Sequence, residues 1–158
     1  MVGVLKAVLI AIVSVIVLIL IMQLAFFFPF YMTVVIETAK LANIAATDNY
    51  LKVSYLADSE MLLRERPIFN NTEFEITVTN ADGRNAVGFD NSLIYEEDEY
   101  LADNFKPYLQ RGEPITVTMT AEYPIEVILW GRPLPLRPVE VSYSVTTIGL
   151  RYYKDLDT

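Results

Sequence analysis

The chain has 158 residues, 53% of them hydrophobic, with 12 basic and 20 acidic side chains for a net charge of −8. It contains no Cys and no His, which excludes disulfide frameworks, Cys or His metal centres, Ser-His-Asp triads and Cys nucleophiles. The acidic balance speaks against contact with a nucleic-acid backbone.

The apolar residues are unevenly spread. Between Ala7 and Phe30 only Ser14, Gln23 and Pro29 interrupt an otherwise apolar run, and no charge occurs in it. At about 1.5 Å per residue the run reaches roughly 36 Å, enough to cross a hydrocarbon core of about 30 Å with some tilt. Backbone groups in lipid must bond internally, so a transmembrane helix is expected over residues 7–30. A cleaved secretory signal is shorter and ends in small residues. This run ends Leu24-Ala25-Phe26-Phe27-Phe28-Pro29-Phe30, so a retained anchor is expected. Lys6 is the only charged side chain before the run and Glu37 the first after it. The positive-inside tendency therefore makes residues 1–6 a short cytoplasmic end and sets residues 31–158 outside, in a single pass. With Lys6 set apart from the 12 basic residues, the outer part holds 11 basic against 20 acidic, a net of −9. Phe26, Phe27, Phe28, Phe30 and Tyr31 gather at the outer end of the run. They read as an interfacial aromatic belt or as subunit–subunit packing.

The helical pattern continues past the run. Val34, Leu41, Ile44, Leu51, Tyr55 and Leu62 recur on one face of an amphipathic helix, so residues 31–66 read as its continuation. Pro29 is the one breaker, and a kink is expected at residues 25–29. One helix from Leu5 to Ala57 would be about 80 Å long. Asp48-Asn49 is an alternative break, and Asp58 or Ser59 could cap a further turn before Pro67. The stripe requires a cover, and the following segment is the natural candidate.

From residue 67 to 158 the pattern is β-rich. Glu73–Thr79 alternates polar and apolar residues, Asn80-Ala81-Asp82-Gly83 signals a tight turn, and Asn85–Phe89 is a candidate returning strand. Glu96–Phe105 is acidic and helix-like. Ile115, Val117, Met119, Ala121 and Tyr123 face one way along the next strand, with Thr116, Thr118 and Thr120 facing the other. Pro124 ends or bulges that strand, Ile125–Leu129 continues it, and Trp130–Pro133 forms a loop. Val139–Val145 alternates again. Four to five antiparallel strands are expected, with one face covered by the long helix, in an α+β unit with a membrane tail.

A kinked helix, apolar first and amphipathic later, packed on a small antiparallel sheet, resembles type IV pilins and pseudopilins. The TadE-like pseudopilins of tight-adherence systems are the nearer resemblance. It is carried by Arg111–Ile125, with its strand and Tyr-Pro step, then by Leu134-Pro135-Leu136 and the Thr-rich strand Val139–Thr147. It implies a pilin-like fold and assembly into a cell-surface filament or a secretion or conjugation apparatus. Prepilins of that class are cut after a Gly and carry Glu at the fifth mature position. Here Gly3 is the candidate glycine and Val8 occupies the Glu position.

Little in the sequence suggests other chemistry. Asp90, Glu96, Glu97, Asp98, Glu99 and Asp103 are oxygen donors of the kind Ca²⁺ takes, but no EF-hand spacing is present, and a solvated acidic face is expected. The pairs Glu73/Glu75 and Glu122/Glu126 have the ordinary spacing of exposed strands, and no enzyme activity and no cofactor is expected. Trp130, in its Gly-Pro loop, is a candidate partner contact or a side chain folded onto the sheet. Two functions are expected. One is a pilin-like subunit assembling with copies of itself or with pilus-type machinery through Phe26, Phe27, Phe28, Phe30, Val34, Leu41, Ile44 and Leu51. The other is an anchored extracytoplasmic binding module or assembly factor that does not polymerise. For a filament subunit the helix stripe should touch neighbouring copies, and for a lone anchor only its own sheet.

Overall fold

The computed structural model describes residues 2–97, 103–129, 132–135 and 137–156. Helix α1 runs from Val2 to Asp48. Its first half is an unbroken apolar run, and its second half is rich in Ala, which favours helix and permits close packing. The helix continues through Pro29. Four residues on, Thr33 Oγ1 donates to the Pro29 carbonyl at 3.0 Å.

The helix stops at Asn49, which takes the left-handed conformation with φ 58°. Asn tolerates that region because its short side chain can bond locally. A two-residue strand β1 (Leu51–Lys52) follows, and then a separate helix α2 (Val53–Arg64). The alternative break at Asp48-Asn49 is therefore the one observed, and the single helix to Ala57 is corrected. The correction resets the helix face. In α2 the buried positions are Ser59 and Leu63, with Leu56 partly buried, while Tyr55 and Leu62 are exposed.

Strand β2 (Phe74–Asn80) turns through Asp82-Gly83, where Gly83 has φ +74°, a conformation that glycine adopts without steric cost. The returning chain bridges Thr79 through Asn85, then leaves. Its two-residue strand β3 (Val87–Gly88) pairs in parallel with β1 rather than with β2. Helix α3 (Leu93–Glu97) and a 3₁₀ turn (Asp103–Phe105) occupy the acidic stretch, whose residues 98–102 lie outside the described residues.

The main sheet has the order β2-β4-β7, all antiparallel, with β4 at Pro114–Tyr123 and β7 at Val139–Ile148. The register from Pro114↔Ile148 to Tyr123↔Val139 joins β4 to β7 along their whole length. Residues 126–129 do not continue β4. They form β5 (Glu126–Leu129), which pairs with β6 (Arg132–Pro135) as a separate hairpin, so Arg132 and Pro133 are strand rather than loop.

The second half of α1 lies across the apolar face of β4 and β7. Phe30, Val34, Leu41, Ala42 and Ala45 close on Ile76, Val78, Ile115, Val117, Met119 and Ala121, and all are buried. On the other face the sheet carries hydroxyls in pairs: Thr116 with Thr146, Thr118 with Ser144 and Thr120 with Ser142, at 2.8 to 3.1 Å. The long apolar helix packed on a small antiparallel sheet is the α+β arrangement the periodicities imply.

Candidate membrane and assembly surface

Among the described residues, none covers the lower half of α1. The described residues from Gly3 to Leu18 are all exposed, and Leu20–Met22 are exposed again. Among the described residues one helix is long and apolar enough to cross a membrane, and none of its most apolar stretch is buried. The domain begins at Gln23. There the Tyr123 hydroxyl donates to the Gln23 carbonyl at 3.0 Å, tying the end of β4 to the helix. Residues 2–22 alone span about 31 Å at roughly 1.5 Å each, close to the hydrocarbon thickness of about 30 Å.

The aromatic group divides at this boundary. Phe30 is fully buried, stacked on Phe69 with ring centres 4.6 Å apart and edge-on to Tyr123. Phe27 meets Tyr123 edge-on at 5.2 Å, and Tyr31 meets Tyr143 in the same way at 6.5 Å. Phe26 and Phe28 point away, 57% and 66% exposed. Of the stripe, Val34, Leu41 and Leu51 are 0% exposed and Ile44 is partly buried, all against the chain's own core. Phe30, Val34, Leu41 and Leu51 are thus enclosed by the chain's own residues. Among the expected contact residues, Phe27 and Ile44 are partly buried, and Phe26 and Phe28 are exposed. Trp130, the candidate partner contact, lies outside the described residues.

A cleft of about 500 Å³ opens at the boundary, lined by Gln23, Phe26, Ile68, Asn71, Tyr123 and Pro124 among others. On the sheet's outer face, Glu73, Glu75, Glu122 and Glu140 line a smaller depression of about 340 Å³. Among the described residues no three acidic side chains converge to hold a metal ion.

Two polar arrangements, neither anticipated from sequence, fix the helix to the domain. Glu37 faces inward, 5% exposed. Lys40 Nζ lies 3.2 Å from one of its oxygens and Arg66 Nη2 3.3 Å from the other, and Ser59 Oγ donates from α2 at 3.4 Å. A buried carboxylate is tolerated only when paired in this manner. The signal for it was slight, because Arg66 is 29 residues away in sequence.

The second arrangement closes the top of α1. Asn49 Nδ2 donates to the carbonyls of Leu109 (2.9 Å) and Arg151 (2.6 Å), and Asn49 Oδ1 accepts from the Arg151 amide at 2.9 Å. A Cβ at Gly149 would stand 2.5 Å from the Asn49 side chain, so only glycine fits beside it. Asp48 binds Lys52 at 2.6 Å and Arg151 at 2.9 Å. Burial pushes the Asp48 carboxyl up, but the hydrogen bonds from Lys52 and Arg151 outweigh it and hold it below the ordinary value of 3.8. The Tyr153 hydroxyl donates to the Asp48 carbonyl at 2.7 Å, and the Tyr153 ring stacks on Tyr108 at 3.8 Å. Tyr50 and Tyr95 complete a buried tyrosine cluster. Burial, reinforced by the charge of Asp48, pushes the Tyr50 hydroxyl up to about 12. Each of these hydroxyls has a partner, as buried tyrosines require.

Lys106 is buried between Asp103 and Asp155, at 3.0 and 3.1 Å. Burial disfavours its charge, but the hydrogen bonds it donates to both carboxylates prevail and raise its pKa. Asp155 is pushed up by burial and pulled further down by Tyr108 and Lys106. These clusters are closed, satisfied networks that anchor the chain's last strand and tail to the top of α1. The longest exposed apolar stretch among the described residues is the helix below Gln23.

No protein-family model, no curated protein and no solved structure matches this chain.

Proposed function

We propose that the chain is a membrane-anchored, pilin-like subunit with a structural rather than catalytic role. In this reading α1 crosses the membrane below Gln23, with its N-terminus inside, and the α+β domain is displayed on the outer face. Copies assemble through the bare helix and through Phe26 and Phe28, with each other or with a pilus-type machinery. The observation that carries it is the division of α1: the amphipathic half is covered by the chain's own sheet, while the apolar half has no cover among the described residues. Apolar helices can exchange lipid contacts for side-chain packing against one another at little cost, which makes bundling possible. The TadE-like layout of strand, Tyr-Pro step and Thr-rich strand supports the pilin-like form of the reading.

A second reading is an anchored module that does not polymerise. It is favoured by one observation: Val34, Leu41 and Leu51 touch the chain's own core. Shearing of producing cells separates the two. Filaments that contain this chain by mass spectrometry support the subunit. Complete retention in detergent-extracted membranes, with no higher-order species on crosslinking cysteines placed at Phe26 or Phe28, supports the lone anchor.

A further inference from the structure

The register fixes the position of the segment between β4 and β7. Tyr123 pairs with Val139, so residues 124–138 leave and re-enter the sheet at one end. That is the end where Tyr123 is bonded to Gln23 and from which the bare part of α1 emerges. The segment contains the β5–β6 hairpin, paired from Glu126↔Pro135 to Leu129↔Arg132. This hairpin is a sheet of its own and packs substantially on no other described element. A two-stranded hairpin alone is marginally stable in water, so it needs a cover.

Composition and charge indicate what that cover is. Ile125, Val127, Ile128, Leu129 and Leu134 make the segment apolar. In a chain of net charge −8 it is locally basic, with Arg132 and Arg137 against Glu126. Both arginines are exposed, and neither forms an ion pair among the described residues. Apolar residues beside unpaired arginines, at the level where a helix of about bilayer length begins, match the chemistry of a phospholipid headgroup layer. The cleft lined by Gln23, Phe26 and Pro124 opens at the hairpin's root and continues the same rim.

We propose that the β5–β6 hairpin is a second membrane contact, seated in the headgroup region of the bilayer that holds α1, with Arg132 and Arg137 on lipid phosphates. The inference rests on the anchor reading of α1. A helix and a hairpin together would fix the domain's tilt over the membrane, which a lone helix does not.

The absence of native cysteine allows single-cysteine probes. The full chain is reconstituted in phosphatidylcholine–phosphatidylglycerol vesicles with an environment-sensitive fluorophore at Val13, Val127, Ile128 or Ser144. Two adjacent hairpin positions are probed, and circular dichroism checks the fold of each variant. Lipids brominated near the headgroup or near the chain end act as quenchers. The expected result is strong quenching at Val13 by the deep bromines. Val127 or Ile128 should be blue-shifted and quenched most by the shallow bromines, and Ser144 should not be quenched. The double variant R132E/R137E should lose the hairpin quenching while Val13 is unchanged. Hairpin probes that behave like Ser144 while Val13 is quenched would overturn the inference and leave the anchor standing. Hairpin probes shielded from water yet untouched by brominated lipid would overturn it in favour of a protein partner. An unquenched Val13 would overturn the anchor reading, and this inference with it.

Discussion

The two halves of α1 belong to one helix but have different surroundings. Both are helix, and both carry many apolar residues. From Gln23 upward the apolar face has a protein cover: β4 and β7 lie beneath it, and Phe30, Val34 and Leu41 are fully buried. Below Gln23, from Ala7 on, the helix is apolar almost throughout, and among the described residues none of its most apolar stretch is buried. An amphipathic face implies one partner surface, whereas a helix apolar all round implies immersion. Hydrophobicity alone would have joined the halves. Periodicity separates them, and the boundary falls where Tyr123 reaches Gln23.

Aspartate substitution should break this comparison most sharply. Val34→Asp puts a charge where no partner and no water is available, and the domain should fail to fold or lose most of its stability in a urea titration of the detergent-solubilised chain. Val13→Asp should leave that titration unchanged. Its cost should appear in membrane insertion, by about 2.5–3.5 kcal/mol for a charge at the centre of a spanning helix. Alanine sharpens the same contrast. Leu41→Ala should lose about 2–5 kcal/mol of domain stability, as large-to-small changes in packed cores do. Leu18→Ala, at an exposed position, should fall within about 0.5 kcal/mol of the parent.

The upper half also has a polar closure that the lower half lacks. Asn49→Gly keeps the left-handed backbone but removes the bonds to Leu109 and Arg151, and should cost about 1–3 kcal/mol in the same titration. The pH dependence of stability should follow from this region. Asp48 and Asp155 have lowered pKa values, so on acidification the unfolded chain binds protons first. Their contribution is complete above the ordinary value of 3.8 and is lost as pH falls through the lowered folded values. Tyr50 is raised from 10.0 to about 12, so the unfolded chain deprotonates first and stability declines as pH rises between those values. Urea midpoints measured across pH should therefore fall at both extremes and be flat between them. The smallest effect is expected on the outer sheet face, where Thr118→Val removes a solvent-exposed bond to Ser144 and should change stability by about 0.5 kcal/mol or less.

Much of this fold is legible in the sequence because it is periodic. The alternation at Glu73–Thr79, Ile115–Tyr123 and Val139–Val145 corresponds to β2, β4 and β7, and the apolar run corresponds to the bare half of α1. The stripe misled beyond Leu51 because α2 is also helical. Its residues continue the spacing on paper, while the turn at Asn49 rotates the actual face to Leu56, Ser59 and Leu63. The β1–β3 pairing joins residues 36 positions apart through two-residue strands, too short to carry any pattern. Glu37 reads locally as a solvent residue, and its burial depends on Arg66 and Ser59 arriving from α2. The aromatic group is legible as a cluster. Its division into buried Phe30 and exposed Phe26 and Phe28 depends on where the sheet docks.

The most direct test of the division of α1 is photo-crosslinking in native membranes, with a diazirine-bearing residue at Leu18 in one variant and Leu41 in another. Mass spectrometry then identifies what each has captured. The account predicts lipid or a second copy at Leu18, and at Leu41 only peptides of the same chain's β4 and β7. Capture of a second copy at Leu41, or of the chain's own sheet at Leu18, would contradict it.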